Sequence, residues 1–352
     1  MTSNPLLVQE LVDECLSYLS DAKDLERCAL VCRPWSHVAQ RALFRVVSIP
    51  RSSSAWNRLE NTLRTSPHLV PHIRTLFLRS IHFQITELNK ICNFPFTHVE
   101  NIAVDHSGPM SPMVELQALL SVRSLRRLKL DYYFFDTAAF LPIWDMCSTN
   151  IRHLDLSCNS TSGHILRPPS APIAPIALES LRVDTHVKGI GYWFNHDLCP
   201  FDISRLTVLS LGAHSSITDW SRMAPALRTI KALEFTISDI EDVEEPLDLS
   251  LFPNVSFLHI AIDVRELSTV LDCLSTIPSD SHVRQIVLSF VYSRFTVSDE
   301  LDSKLTELAL ESVGLEVDAA EYRSWVSHFP QLSSRNLVRH RAHLSVLLGL
   351  MF

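Results

Sequence analysis

Apolar residues fall along this chain in a repeating triplet, the second member three positions after the first and the third two positions after that. The triplet occurs at Ile73/Leu76/Leu78, Val99/Ile102/Val104, Leu125/Leu128/Leu130, Ile151/Leu154/Leu156 and Leu178/Leu181/Val183. It returns at Leu206/Leu209/Leu211, Ile230/Leu233/Phe235, Val255/Leu258/Ile260, Val283/Ile286/Leu288 and Leu310/Val313/Leu315. Successive first members lie 24 to 28 residues apart. The last two members of each triplet alternate as the inward residues of a half-buried strand do. One such strand cannot hold a core alone, so the period predicts a stack of coils, each with one strand and one helix or irregular arc. Near Leu227 a shifted register, pairing Leu227 with Ile230, fits the same rule. An ordinary α/β domain with evenly spaced strands is the competing reading.

Between triplets the pattern changes. Val264, Leu267, Val270, Leu271 and Leu274 recur at helical spacing, which predicts a helix over 264–277 on the outer side of a coil. Residues 160–175 contain Pro168, Pro169, Pro172 and Pro175 and predict an irregular loop. The arc 188–200 carries Tyr192, Trp193 and Phe194, which suit either a core or an exposed patch. The acidic stretch 239–248 reads as a solvated loop.

Residues 4–45 have a different rhythm and predict three short helices. Leu7, Leu11, Cys15, Leu16 and Leu19 mark the first, starting near Asn4 and Pro5. Leu25, Cys28, Ala29, Val31 and Cys32 mark the second, with Asp24 as its cap. Trp35, Val38, Ala39, Ala42 and Leu43 mark the third, after Pro34. A first strand over 44–48 and a helix over 56–63 are expected to follow. At the other end, 319–328 reads as a closing helix with Trp325 and Phe329 facing inward. Residues 335–343 are basic, and 344–352 read as a cap over the last strand edge.

Ile151, Leu154, Leu156 and Asn159 spell L-x-x-L-x-L-x-x-N, and on this signature and the period the triplets resemble degenerate leucine-rich repeats. The asparagine slot elsewhere holds residues such as Ile81, Ser107, Tyr133, His214 or Asp263. The N-terminal helices resemble the F-box. The resemblance rests on Leu7-Val-Gln-Glu-Leu11, Cys15-Leu-Ser-Tyr-Leu19, Asp24-Leu25, Cys28-Ala-Leu-Val-Cys32-Arg and Trp35, with Val8 where that family usually has proline. It implies a docking module for a Skp1-type adaptor and, through the adaptor, a cullin–RING ubiquitin ligase. Carried over residue by residue, Leu7, Leu11, Leu16, Leu25, Val31, Cys32 and Trp35 form the apolar contact or the core beneath it. A plain three-helix cap on a solenoid is the alternative.

The fold class expected is therefore α/β, a leucine-rich-repeat solenoid of about ten parallel-strand repeats behind a small three-helix domain. The expected division is 1–48 for the helical docking domain, 49–67 for a transition, 68–318 for the solenoid and 319–352 for a C-terminal cap and tail.

Composition narrows the function. Of 352 residues, 46% are hydrophobic and 20% charged, which describes a folded chain with a large core. A formal charge of −8 argues against a nucleic-acid partner, which needs a basic face. The N-terminus shows no signal peptide, and no apolar run approaches the roughly 18 residues of a membrane span. Eight cysteines without C-x-x-C pairs fit reduced thiols in cytoplasm or nucleus. Gly189 and Gly191 are followed by Phe194 where a dinucleotide fingerprint needs glycine, and no P-loop, G-x-S-x-G or H-E-x-x-H occurs. Cys28 and Cys32 read as buried thiols, and His340 and His343 as surface residues. No enzyme activity, cofactor or metal is expected.

The informative surface is the outward face of the strands, where the residues flanking the inward positions stand. Phe77, Arg79, Asp105, Arg127, Lys129, Asp155 and Arg182 make its first part a mixed-charge ladder, and Phe257 and His259 stand out in the less charged second part. The expectation is that the charged part orients a protein target and the later part accepts an apolar element. Lys129, Asp155 and Arg182 also suit simple cross-strand pairing with one another.

Overall fold

The computed structural model describes residues 9–19, 21–49, 53–80, 91–109, 116–134, 147–158, 175–185, 194, 199–212, 227–238, 247–263, 267–290, 299–317 and 325–341. The predicted loop at 160–174, Asn159, Leu7, Tyr192, Trp193 and the tail from 342 lie outside them. The chain forms two compact units, residues 1–133 with 142–151, and residues 134–141 with 152–352.

The first unit opens with α1 (Gln9–Ser17), α2 (Ala22–Ala29) and α3 (Arg33–Arg45). Asp21, not the expected Asp24, caps α2, accepting the Lys23 N–H at 2.9 Å. That helix stops at Ala29, so Val31 and Cys32 lie beyond it rather than inside it. Pro34 sits in the first turn of α3, where no intrahelical N–H is needed. Val12, Leu16, Leu25, Val38 and Ala39 form the shared core, with Trp35, Cys28 and Leu43 packed against it. Phe44 and Arg45 belong to α3, so the strand expected from 44 begins only at β1 (Val46–Ile49). Then come α4 (Ser53–Thr65), which spans the helix expected over 56–63 and buries Trp56 and Leu63, and a 3-10 turn over Pro67–His72. β2 (Thr75–Ser80), β3 (Asn101–Pro109), α5 (Gln117–Leu120) and β4 (Arg127–Phe134) follow. The four strands stand in the order β1-β2-β3-β4.

The second unit holds β5 (His153–Cys158), β6 (Ile176–Ala177), β7 (Ser180–Thr185), β8 (Phe201–Asp202), β9 (Val208–Leu211), β10 (Ala232–Ser238) and β11 (Phe257–Asp263). It continues through α6 (Ser268–Ser275), β12 (Gln285–Phe290), α7 (Asp299–Glu307), β13 (Ser312–Glu316), α8 (Pro330–Ser334) and β14 (Val338–Arg341). Eight strands run in the order β5-β7-β9-β10-β11-β12-β13-β14, and β6 with β8 forms a separate parallel pair that the sequence did not announce.

Register explains the period. Leu154, Leu181, Leu209, Leu233, Leu258, Ile286 and Val313 are successive partners across this sheet, and Leu156, Val183, Leu211, Phe235, Ile260, Leu288 and Leu315 form the next row. The Ile230/Leu233/Phe235 register holds, since Leu233 pairs with Leu209 and Leu258. Every member of all ten triplets is buried, none more than 9% exposed. Within each unit main-chain bonds tie successive coils just ahead of the strand, as in Glu100 N–H to Arg74 O (2.8 Å) and Arg284 N–H to Ser256 O (2.9 Å). On α6, Val270 and Leu274 face in with Leu267 ahead of them, as predicted.

β14 takes the place beyond the last triplet, where a basic surface segment was expected. Asn336 turns the chain there with φ of 56°, and the Leu337 and Asn336 N–H groups bond back to Leu332 O and Ser333 O. This is a Schellman closure of α8, with asparagine in the left-handed position. Trp325 and Phe329 are buried as expected.

Candidate functional site

The large apolar side chains that stand half or more exposed among the described residues are Leu11, Tyr18, Leu30, Val31 and Val46, all within the first 46 positions. Leu11 and the exposed thiol of Cys15 share one face of α1, and Tyr18, in the turn just after the helix, continues the line at i+7. The Tyr18 hydroxyl donates to Glu14 Oε1 at 2.9 Å, which fixes the ring along that face. Leu30 is the C-cap of α2, 87% exposed, and Val31 follows it. The stripe on α1 and the Leu30–Val31 corner are kept in place by α3, which packs against both helices.

The structure divides the expected docking residues. Leu11 and Val31 are on the surface, Leu16 and Leu25 are buried in the core beneath, and Cys32 and Trp35 are half-buried. Leu7 lies outside the described residues. Cys15, Tyr18 and Leu30 join the surface group and were missed. Helical phase was the available signal, because Leu11 and Leu16 are five residues, hence about 140°, apart on one helix.

The strand faces divide too. In the first unit Phe77, Asp105, Arg127 and Lys129 are half-buried and Arg79 is exposed, with Arg79 and Asp105 in direct register. In the second unit Arg182 and Phe257 are half-buried, whereas Asp155 and His259 are buried and present nothing to a partner. That corrects the expectation for both. Asp155 is in register with Arg182, as cross-strand pairing requires.

The later part of this face is more charged than the sequence suggested. His259, only 3% exposed, lies with Glu234 on one side and Ser289 and Glu316 on the other, all four buried. His259 Nδ1 is 3.8 Å from Glu234 Oε1, and Nε2 is 2.7 Å from Ser289 Oγ and 3.5 Å from Glu316 Oε2. Ser289 in turn donates its hydroxyl to Glu316. Burial alone would depress the imidazole pKa, but the carboxylates of Glu234 and Glu316 outweigh it and raise it to about 9. The raised pKa favours the protonated ring, and with the Ser289 hydroxyl given to Glu316 the ring's Nε2–H donates to Ser289. The cluster is an electrostatic tie across β10, β11, β12 and β13. In the bulky aromatic arc Phe194 is core, its ring centroid 5.9 Å from that of Phe201.

Among the described residues no group of three or more histidine, cysteine or acidic side chains is placed to hold a metal ion. Burial pushes the Cys199 thiol up to about 12 and that of Cys273 to about 11, and Cys147 is raised for the same reason. No helix among the described residues is long and apolar enough to cross a membrane.

The F-box-like family matches residues 9–50, the span from α1 through the end of β1. That is the stretch carrying the exposed apolar stripe and corner. A search of curated proteins found no match.

Proposed function

We propose that this protein is the substrate-recognition subunit of a Skp1–cullin–F-box type ubiquitin ligase. One observation carries the reading. Among the described residues, four of the five large apolar side chains that stand half or more exposed, Leu11, Tyr18, Leu30 and Val31, lie along α1 and the turn after it and on the corner after α2 of the F-box-like stretch, and the fifth, Val46, opens β1. Apolar surface left open on so small a domain marks a protein contact. Leu11, Cys15, Tyr18, Leu30 and Val31 dock the adaptor, and Leu16, Leu25, Val38 and Ala39 hold the helices that carry them.

The strand face of the repeats binds the target protein. In the first unit Arg79, Arg127 and Lys129 supply accessible cations and Phe77 aromatic surface, and in the second unit Arg182 and Phe257 supply theirs. The chain performs no covalent step of its own and needs no cofactor, since ubiquitin transfer belongs to other subunits. It works in the cytoplasm or nucleus.

Affinity purification of the full chain, alone and as Leu30→Asp and Val31→Asp, tests the reading. The adaptor should co-purify with the parent and be lost from both variants while their circular dichroism is unchanged. Absence of adaptor from the parent would leave a repeat scaffold outside any ligase. Undiminished capture by the variants would move the contact elsewhere.

A further inference from the structure

The first unit also contains a cleft of about 720 Å³ that the docking stripe does not reach. Asp13, Leu16 and Ser17 of α1 line it, whereas Leu11 and Cys15 of the same helix and Tyr18 just after it do not. Its floor is apolar, formed by Leu16, Leu25, Val38, Ala42 and Pro71. Its walls carry three guanidinium groups, Arg41, Arg45 and Arg74.

Two of those cations are already answered. Arg41 pairs with Asp13, and Arg74 Nη1 lies 3.2 Å from Glu100 Oε1 and donates to His98 O. Arg45 is exposed, and its guanidinium has no hydrogen bond or ion pair among the described residues, although its carbonyl accepts the Arg74 N–H at 3.0 Å. Next to it Val46 is 51% exposed on the same cleft. Three guanidiniums against two carboxylates leave one positive charge unanswered beside uncovered apolar surface.

We propose that this cleft captures an acidic peptide segment of a partner protein, one carboxylate meeting Arg45 and a neighbouring apolar side chain covering Val46 and Pro71. The volume suits a few side chains and exceeds what a lone ion fills. Carboxylate is the anion that the other two arginines already hold. A nucleic-acid backbone is a poor fit, because a single spare cation in a chain of net charge −8 neutralises little phosphate.

His72 reports on the same charge. It lines the cleft, and burial together with Arg41, His68, Arg74 and His37 holds its pKa below the ordinary histidine value. The carboxylates facing the cleft, Asp13 and Glu100, are engaged by arginines and do not reverse that. An arriving carboxylate adds the missing negative charge, so His72 takes up a proton as the segment binds. Affinity consequently rises as pH falls towards the range in which His72 titrates, below the ordinary histidine value.

The test uses the full chain and a short fluorescent peptide alternating leucine and glutamate, read by anisotropy, with the glutamine version as control. The glutamate peptide should bind roughly tenfold more tightly, and its addition should move the His72 ring signal in NMR to a higher titration midpoint. Arg45→Glu should abolish the preference, Arg45→Lys should keep most of it, and Val46→Asp should weaken both peptides. His72→Gln should retain binding but lose its pH dependence. Adaptor co-purification should survive Arg45→Glu, which separates this site from the docking stripe. Equal affinity for the two peptides, or an unaffected Arg45→Glu variant, overturns the proposal. So does displacement of the peptide by inorganic phosphate or an RNA oligonucleotide at equal concentration.

Discussion

Asp184 lays its carboxyl group over the α-carbon of Gly212, the next residue along the same row of the sheet, filling the space a β-carbon there would need. The Gly212 N–H also donates to Val183 O at 2.7 Å, so the two backbones cannot draw apart without losing a bond. Gly212→Ala should therefore destabilise the protein by about 1–3 kcal/mol, the range of overpacked substitutions. Chemical denaturation would show it as a lower midpoint. Combining it with Asp184→Gly removes the obstructing side chain, and the double variant should lose less than the two single losses together.

The division between docking surface and core makes a sharper prediction. Leu16→Ala and Leu25→Ala remove buried side chains and should each cost about 2–5 kcal/mol. Leu11→Ala and Leu30→Ala remove exposed ones and should change stability by no more than about 0.5 kcal/mol. Thermal melts of the four variants check this. Similar losses at Leu30 and Leu25 would mean that the corner after α2 is part of the core.

These contrasts also show what the chain displays openly. The triplets are legible because strand alternation and burial act on adjacent residues, and all ten lie where the period puts them. β14 is illegible because Val-Arg-His-Arg has no apolar alternation; it is set in place by the Asn336 turn and by pairing with β13. The acidic residues Asp21 and Asp24 are equally good caps on paper, and only the Lys23 N–H decides between them. Glu234, His259, Ser289 and Glu316 are each legible as face residues. Glu234 stands in direct register with His259, and Ser289 with Glu316, but the meeting of the two pairs is not legible, because His259 stands in direct register with Val287, and Val287 with Gly314. The contact of His259 with Ser289 and Glu316 runs diagonally across that register.

Asp302 ties the end of the fold together. It is buried on α7, and its two carboxylate oxygens accept the Gln331 N–H at 2.7 Å and the Leu332 N–H at 3.1 Å, in the first turn of α8. Hydrogen bonds to a charged acceptor are the stronger kind, about 1.5–3 kcal/mol each. Asp302→Asn keeps the shape but offers one good acceptor instead of two, and should lower stability by roughly that amount. Hydrogen exchange should show the Gln331 and Leu332 amides losing protection before those of β11 and β12.

The His259 tie sets the alkaline limit of the second unit. Its pKa is near 9 in the folded chain and near 6.5 when unfolded, so folding favours the protonated form. The stabilisation is fully present below about pH 6.5, declines above it and is lost as pH rises through about 9, on the order of 3 kcal/mol in all. Deprotonation leaves Glu234 and Glu316 facing a neutral ring in a buried site, which desolvation disfavours. Melting temperature measured from pH 6 to 10 should fall on the alkaline side. His259→Gln should lower it at neutral pH and flatten the decline, because nothing remains to lose the proton. Glu316→Gln should act differently, weakening the neutral-pH form while moving the decline to lower pH, since one of the two carboxylates that hold the imidazolium is gone. A parent protein whose melting temperature is level from pH 7 to 10 would mean that His259 is neutral throughout and the tie is an ordinary hydrogen-bond chain.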